Sequence, residues 1–263
     1  MKVLPEAAKA QNPSTAPLPG IFNLLRETFA LVRSSPGHFF GYSGWLLVPV
    51  VLSVLTSTVL PTDVQAFADI LLNDIIYILL ALWANVSMIL FSIRTLRQQP
   101  VDDTQINTQA WSLIFPYALI SLCASLLTML GLTLLIIPGL LLWTWFAFAG
   151  FLFVAGDAGL GSCFVKSREL SRGRFFEIFS RLFLGSFFLG ILYALFLIPI
   201  VLSFSPDASF DFAAYLNTVP SLGEQLCYNG LDILFLPLSI AFQAVLYHHL
   251  NKAPVHGQEP KIA

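Results

Sequence analysis

The sequence predicts an all-α polytopic membrane protein, with six transmembrane helices arranged as three repeats of interfacial amphipathic helix plus helical hairpin. Three observations carry that expectation. Hydrophobic residues make up 57% of the chain, charged residues only 11%, and mean hydropathy is +0.79. Soluble domains carry about 25% charged residues. Several apolar runs are long enough to cross about 30 Å of hydrocarbon at 1.5 Å per residue. Finally, all 13 Lys and Arg residues fall in four segments that those runs separate. They are Lys2, Lys9, Arg26 and Arg33; Arg94 and Arg97; Lys166, Arg168, Arg172, Arg174 and Arg181; and Lys252 and Lys261. The intervening connections around 61–74 and 205–224 carry acids but no cation. Cations are costly at a bilayer centre, and positive loops are retained in the cytoplasm. Both termini and the basic connections are therefore expected on the cytoplasmic side.

Residues 1–19 hold Pro5, Pro13, Pro17 and Pro19 among polar and small residues and lack the continuous apolar core of a cleavable signal. They read as a disordered cytoplasmic tail, and residues 251–263 as a second one. Between them, residues 20–250 form the membrane domain. Residues 21–34 form an interfacial helix with the stripe Phe22, Leu25, Phe29 and Val32. Span one follows at about 40–60 and span two at about 75–93. A weaker amphipathic segment at 103–111, with Ile106, Ala110 and Leu113 as its stripe, leads into the apolar stretch 113–156. That stretch is too long for one helix, and Pro138-Gly139 is expected to turn it into a hairpin of spans three and four. The interfacial helix at 160–172 has Leu160, Cys163, Phe164 and Ser167 on one face and Lys166, Glu169 and Arg172 opposite. Span five is expected at 182–204 and span six at 227–248. The elbow Ser35-Pro36-Gly37-His38-Phe39-Phe40 before span one recurs as Ser171-Arg172-Gly173-Arg174-Phe175-Phe176 before span five. The middle unit lacks the glycine.

The formal charge of −2 and the segregated cations exclude nucleic acid as a partner, leaving membrane lipids, anionic headgroups and membrane proteins. Cys123, Cys163 and Cys227 are widely spaced and form no CxxC pair, so no zinc or disulfide framework is expected. His38, His248, His249 and His256 supply no metal-ligand set, and no phosphate-binding glycine motif occurs. Gly41-Tyr42-Ser43-Gly44 matches the GxSG string of rhomboid-type intramembrane serine proteases, with His248 or His249 as nominal base. Its place at the start of span one fits close helix packing better. No catalytic residue, metal or cofactor is therefore assigned.

Two sets of candidate contact residues remain. Lys166, Arg168, Arg172 and Arg174 form the densest basic patch, suited to anionic lipid. Asn85, Asp232 and Gln243 are the deeper polar groups and would line an intramembrane polar site.

Residues 134–183, with Pro138-Gly139, Ser162, Ser167, Leu170, Ser171, Gly173 and Phe175-Phe176, resemble the YciC-type bacterial membrane proteins. They also resemble the membrane domain attached to some glycerophosphodiester phosphodiesterases. The resemblance implies a bacterial inner-membrane location and no assigned activity, since phosphodiesterase catalysis belongs to a separate soluble domain. The expectation is a non-enzymatic envelope protein that organises lipid or binds partner proteins. The alternative is a transporter or lipid flippase with its site between the spans.

Overall fold

The structure, a computed structural model, describes residues 18–204 and 221–252, among which no strand occurs. The expected tails fall almost wholly outside the described residues. Six helices are long and apolar enough to cross a membrane: Pro36–Thr56, Ile70–Leu96, Asp103–Leu134, Ile136–Val154, Phe175–Phe204 and Gly223–Lys252. The architecture is thus an all-α, six-span membrane bundle.

The first helix, α1 (Ile21–Ser34), stands apart from the spans, as its amphipathic spacing requires. Its docked face is Leu24, Leu25, Thr28, Leu31 and Val32. Phe22 is 79% exposed, so the apolar arc is wider than the expected stripe and its phenylalanine edge points away from the bundle. Span one is built from α2 (Pro36–Gly44) and α3 (Leu47–Val59), which part at Trp45-Leu46. The connection expected at 61–74 is helical instead. Helix α4 (Thr62–Asp69) runs into a π-helical stretch, Ile70–Ile76, that extends span two ahead of α5 (Tyr77–Leu96).

Residues 103–111 do not form a separate interfacial helix. Asp102 caps the start by accepting from Thr104 N–H at 3.0 Å, and α6 (Asp103–Leu134) continues unbroken through Pro116. Ile106 and Ala110 are fully buried on the expected stripe, but the middle unit has no elbow of its own. The hairpin also turns earlier than Pro138-Gly139, at Leu135, whose backbone is extended (φ −159°, ψ 139°). Pro138 lies in the first turn of α7 (Ile136–Phe146), where its missing N–H costs nothing. Gly139 serves packing: a Cβ there would sit 2.6 Å from the Leu132 backbone nitrogen. Span four is completed by α8 (Ala149–Val154).

Helix α9 (Cys163–Ser171) is shorter than the expected 160–172, because residues 159–162 form a turn in which Ser162 Oγ accepts from Gly159 N–H at 3.1 Å. The two elbows differ in mechanism. Pro36 opens α2 as its first residue, and Gly37 is helical, whereas Gly173 stops the chain in the left-handed region at φ +79°. Helix α10 (Phe175–Phe204) then begins two residues after that glycine.

The last helix, α11 (Leu222–Lys252), is the axis of the bundle. Of its most apolar window 61% is buried, against 11% for α6 and 6% for α10, which leaves those two on the periphery. It packs against α1, α2, α3, α5 and α10. Its buried residues, Ala241, Phe242, Ala244, Val245, Leu246 and Tyr247, run all round the helix, as expected of a central one. The α10 crossing depends on Gly185, where an added Cβ would lie 2.0 Å from the Phe242 ring. Gly185→Ala is therefore expected to destabilise the bundle by roughly 1–3 kcal/mol through overpacking, read as a lower midpoint of thermal unfolding in detergent.

Candidate functional site

The C-terminal ends of α5, α8 and α11 and the start of α6 meet in a layer of polar bonds, the basic end of the bundle. Its centre is Asp157. Gly156, at φ +75°, closes α8: its N–H donates to Phe153 C=O at 3.0 Å, and those of Asp157 and Ala158 donate to Leu152 C=O. This left-handed residue aims the Asp157 carboxylate at the ends of α5 and α11. One oxygen, Oδ2, accepts from the Arg97 guanidinium, the Tyr247 hydroxyl and the Asn251 amide. Lys166 Nζ adds a 2.6 Å bond to the Asp157 main-chain oxygen. One residue thus fastens four helices, and the charged bonds are the strong kind. Tyr247 is buried against Phe148 and Phe151.

Around this clasp the same end is tied further. His249 meets Glu27 at 2.7 Å, joining α11 to α1. Tyr42 donates to Asp103 at 3.2 Å, and His38 lies 3.4 Å from the same carboxylate. Trp83 Nε1 donates to Asn107 at 2.9 Å and Arg94 to Gln109 at 2.7 Å, joining α5 to α6. Beside Asp157 a cleft of about 330 Å³ is lined by Arg97, Gln98, His248, Asn251 and Lys252.

The four predicted basic residues divide into two pairs. Lys166 is engaged with Asp157, and Arg174 Nε pairs with Glu177 at 3.3 Å. Arg168 and Arg172 are exposed, and both line a groove of about 770 Å³ between α7, α9 and α10. The Arg168 guanidinium lies 4.6 Å from the centre of the Trp145 ring, a cation–π contact. Helix α9 is held in place by Ser167, which donates to Trp145 C=O at 2.5 Å, and by Ser171, which donates to Thr144 C=O at 3.5 Å. The remaining walls are Ile137, Leu140, Leu141, Val165 and the phenylalanines 175, 176 and 179, with Glu169 as the one acid. Two guanidiniums over an apolar trough can hold a molecule with an anionic head and a hydrocarbon body.

The three deeper polar residues are not joined into a site. Asn85 donates to Ala81 C=O at 2.7 Å within its own helix, and Asp232 accepts from Tyr193 at 2.8 Å. Gln243 is half-buried on α11, eleven residues from Asp232 and so about 16 Å along the axis. No hydrogen bond among the described residues links any two of them. Ser43 is fully buried, and its Oγ has no hydrogen-bond partner, so it lacks the adjacent base that nucleophilic activation requires. Among the described residues no three His, Cys, Asp or Glu side chains converge as a metal site needs. Cys163 is buried, and that burial pushes its thiol pKa up, which suits a packing role.

The clasp on Asp157 is the feature that sequence reasoning missed. Asp157 reads there as a helix-terminal acid near Lys166, but Arg97, Tyr247 and Asn251 lie 60, 90 and 94 residues away in sequence. The only local signal is Gly156-Asp157 at the end of an apolar run. No family model matches this chain, and no curated protein or solved structure matches it.

Proposed function

We propose that this chain is a non-enzymatic inner-membrane protein of the YciC type. Its basic end faces the cytoplasm and gathers anionic lipid or a partner protein there. The observation that carries this reading is the division of the basic patch. Lys166 and Arg174 serve the fold, whereas Arg168 and Arg172 stand over an apolar groove. A role in topology alone needs cations on that side but no such groove. The clasp and the surrounding ties give the groove a rigid base, as a binding surface requires. The flippase reading has less support, since Asn85 is engaged within its own helix and Asp232 by Tyr193 of the neighbouring α10.

The test is the lipid that co-purifies with the full chain. Wild type is expected to carry a higher ratio of anionic to zwitterionic phospholipid than its source membrane. Arg168→Gln with Arg172→Gln is expected to bring that ratio down to the membrane's own, while Asn85→Ala leaves it unchanged. Absence of enrichment in wild type would count against lipid gathering. Transbilayer movement of a labelled phospholipid in reconstituted vesicles, lost in Asn85→Ala, would favour the flippase instead.

A further inference from the structure

We infer that the α7–α10 seam is a site for a single anionic phospholipid, with its phosphate between Arg168 and Arg172 and one acyl chain lying along α10. This rests on the anionic-lipid reading above and adds a defined stoichiometry and a hydrocarbon path. Three observations support it. The groove under Arg168 and Arg172 ends on Phe175 and Phe179. A second hollow of about 510 Å³ lies further along the same two helices, lined by Trp143, Phe183, Ser186, Phe187, Gly190 and Ala194. Between them Phe175, Phe179, Phe183 and Phe187 stack in succession, at centroid distances of 5.9, 5.8 and 6.2 Å. The ladder is twelve residues long, about 18 Å at the helical rise. Its first two rings, Phe175 and Phe179, line the cationic mouth, and its last two, Phe183 and Phe187, line the apolar hollow.

The charge and shape of the track select the occupant. Arg168 and Arg172 offer guanidinium forks, which match phosphate geometry, and Glu169 leaves the mouth with a net positive charge. A soluble anion would satisfy the mouth and leave the phenylalanine ladder idle. A second copy of this chain could cover the hollow but would have to bring an acid to the mouth. Beyond the ladder, Ser186, Gly190 and Ala194 recur every four residues and deepen the hollow, and a Cβ on Gly190 would meet nothing within 4 Å. A large side chain at Gly190 therefore fills the hollow without disturbing the fold.

Native mass spectrometry of the full chain in detergent tests this with phosphatidylglycerol and phosphatidylcholine as probes, each in long-chain and dihexanoyl form. Wild type is expected to bind one long-chain phosphatidylglycerol at least tenfold more tightly than phosphatidylcholine. Arg168→Gln with Arg172→Gln should abolish that preference. Gly190→Trp should weaken long-chain phosphatidylglycerol at least fivefold and leave the dihexanoyl form unchanged. If the arginine variant keeps the preference, both this site and the anionic-lipid reading fall. If the arginine variant loses it but Gly190→Trp binds long chains as wild type does, the headgroup contact stands and the acyl track is overturned. Several equivalent lipids bound at once, or a dimer that Gly190→Trp dissolves, would likewise overturn the single-lipid site.

Discussion

Asp157→Ala is expected to loosen the whole basic end and to lower stability by roughly 2–4 kcal/mol, because it removes a carboxylate oxygen that takes three donors at once. Arg97 would keep its charge without a partner, and the Tyr247 hydroxyl would be left unpaired in a buried setting. The estimate stays below that for a fully buried pair, since Arg97 and Asp157 side chains are 25% and 27% exposed. Asp157→Asn keeps an acceptor and loses only the charge, so about half that loss is expected. Thermal unfolding in detergent measures both. The clasp also predicts strong coupling between its members: Asp157→Asn combined with Tyr247→Phe should cost less than the sum of the two single changes. Additive losses would mean that Asp157 acts on each helix separately.

Gly139→Val is expected to force the α6–α7 hairpin apart, at a cost of roughly 3 kcal/mol. The added Cβ would lie 2.5 Å from two side-chain carbons of Leu132 and 2.6 Å from its backbone nitrogen, and the backbone contact cannot be relieved by a rotamer change. Across the same crossing, a Cβ on Gly131 would approach Gly139 Cα to 2.9 Å. Close backbone approach through small residues is how membrane helices gain packing energy without a hydrophobic drive between them. Gly190→Ala is the control: with open space around it, the change should be neutral or stabilise by up to about 1 kcal/mol through reduced backbone entropy. Melting midpoints of the two variants would separate a tight crossing from a general intolerance of glycine replacement.

The membrane spans were legible because hydropathy and charge report on the solvent around a helix, and that signal survives without tertiary knowledge. Arg94 and Arg97 close α5, and Lys252 closes α11, where the charge pattern places the ends of spans. Local chemistry was less reliable where two effects compete. Pro138 looked like a turn, yet proline is also a good residue for a first helical turn, and the chain reversed three residues earlier. The 103–111 segment looked interfacial, yet an aspartate cap and the burial of Ile106 and Ala110 carried it into the span although Thr104, Asn107 and Thr108 are weak helix formers. Repetition of the Ser-x-Gly-x-Phe-Phe elbow concealed two different devices, Pro36 as a first residue and Gly173 as a left-handed stop.

The groove was half legible. Composition singled out Lys166, Arg168, Arg172 and Arg174 together, but only packing could separate those that brace the fold from those that face open space. Lys166 reaches a carbonyl nine residues back, and Arg174 an acid three residues on. Arg168 was drawn to Trp145 across a helix boundary that sequence spacing does not reveal. The clasp at Asp157 was illegible for the same reason, since each side-chain donor comes from a distant helix.

Orientation underlies the lipid reading, because the negative surface potential that draws basic segments belongs to the cytoplasmic leaflet. Thiol labelling with a membrane-impermeant maleimide tests it directly, using Gln99→Cys at the basic end and Val64→Cys at the other, both exposed positions. The background chain would have Cys123, Cys163 and Cys227 replaced by alanine. Intact spheroplasts are expected to label the Val64→Cys chain at once and the Gln99→Cys chain only after permeabilisation. Immediate labelling of Gln99→Cys in sealed spheroplasts would contradict the account.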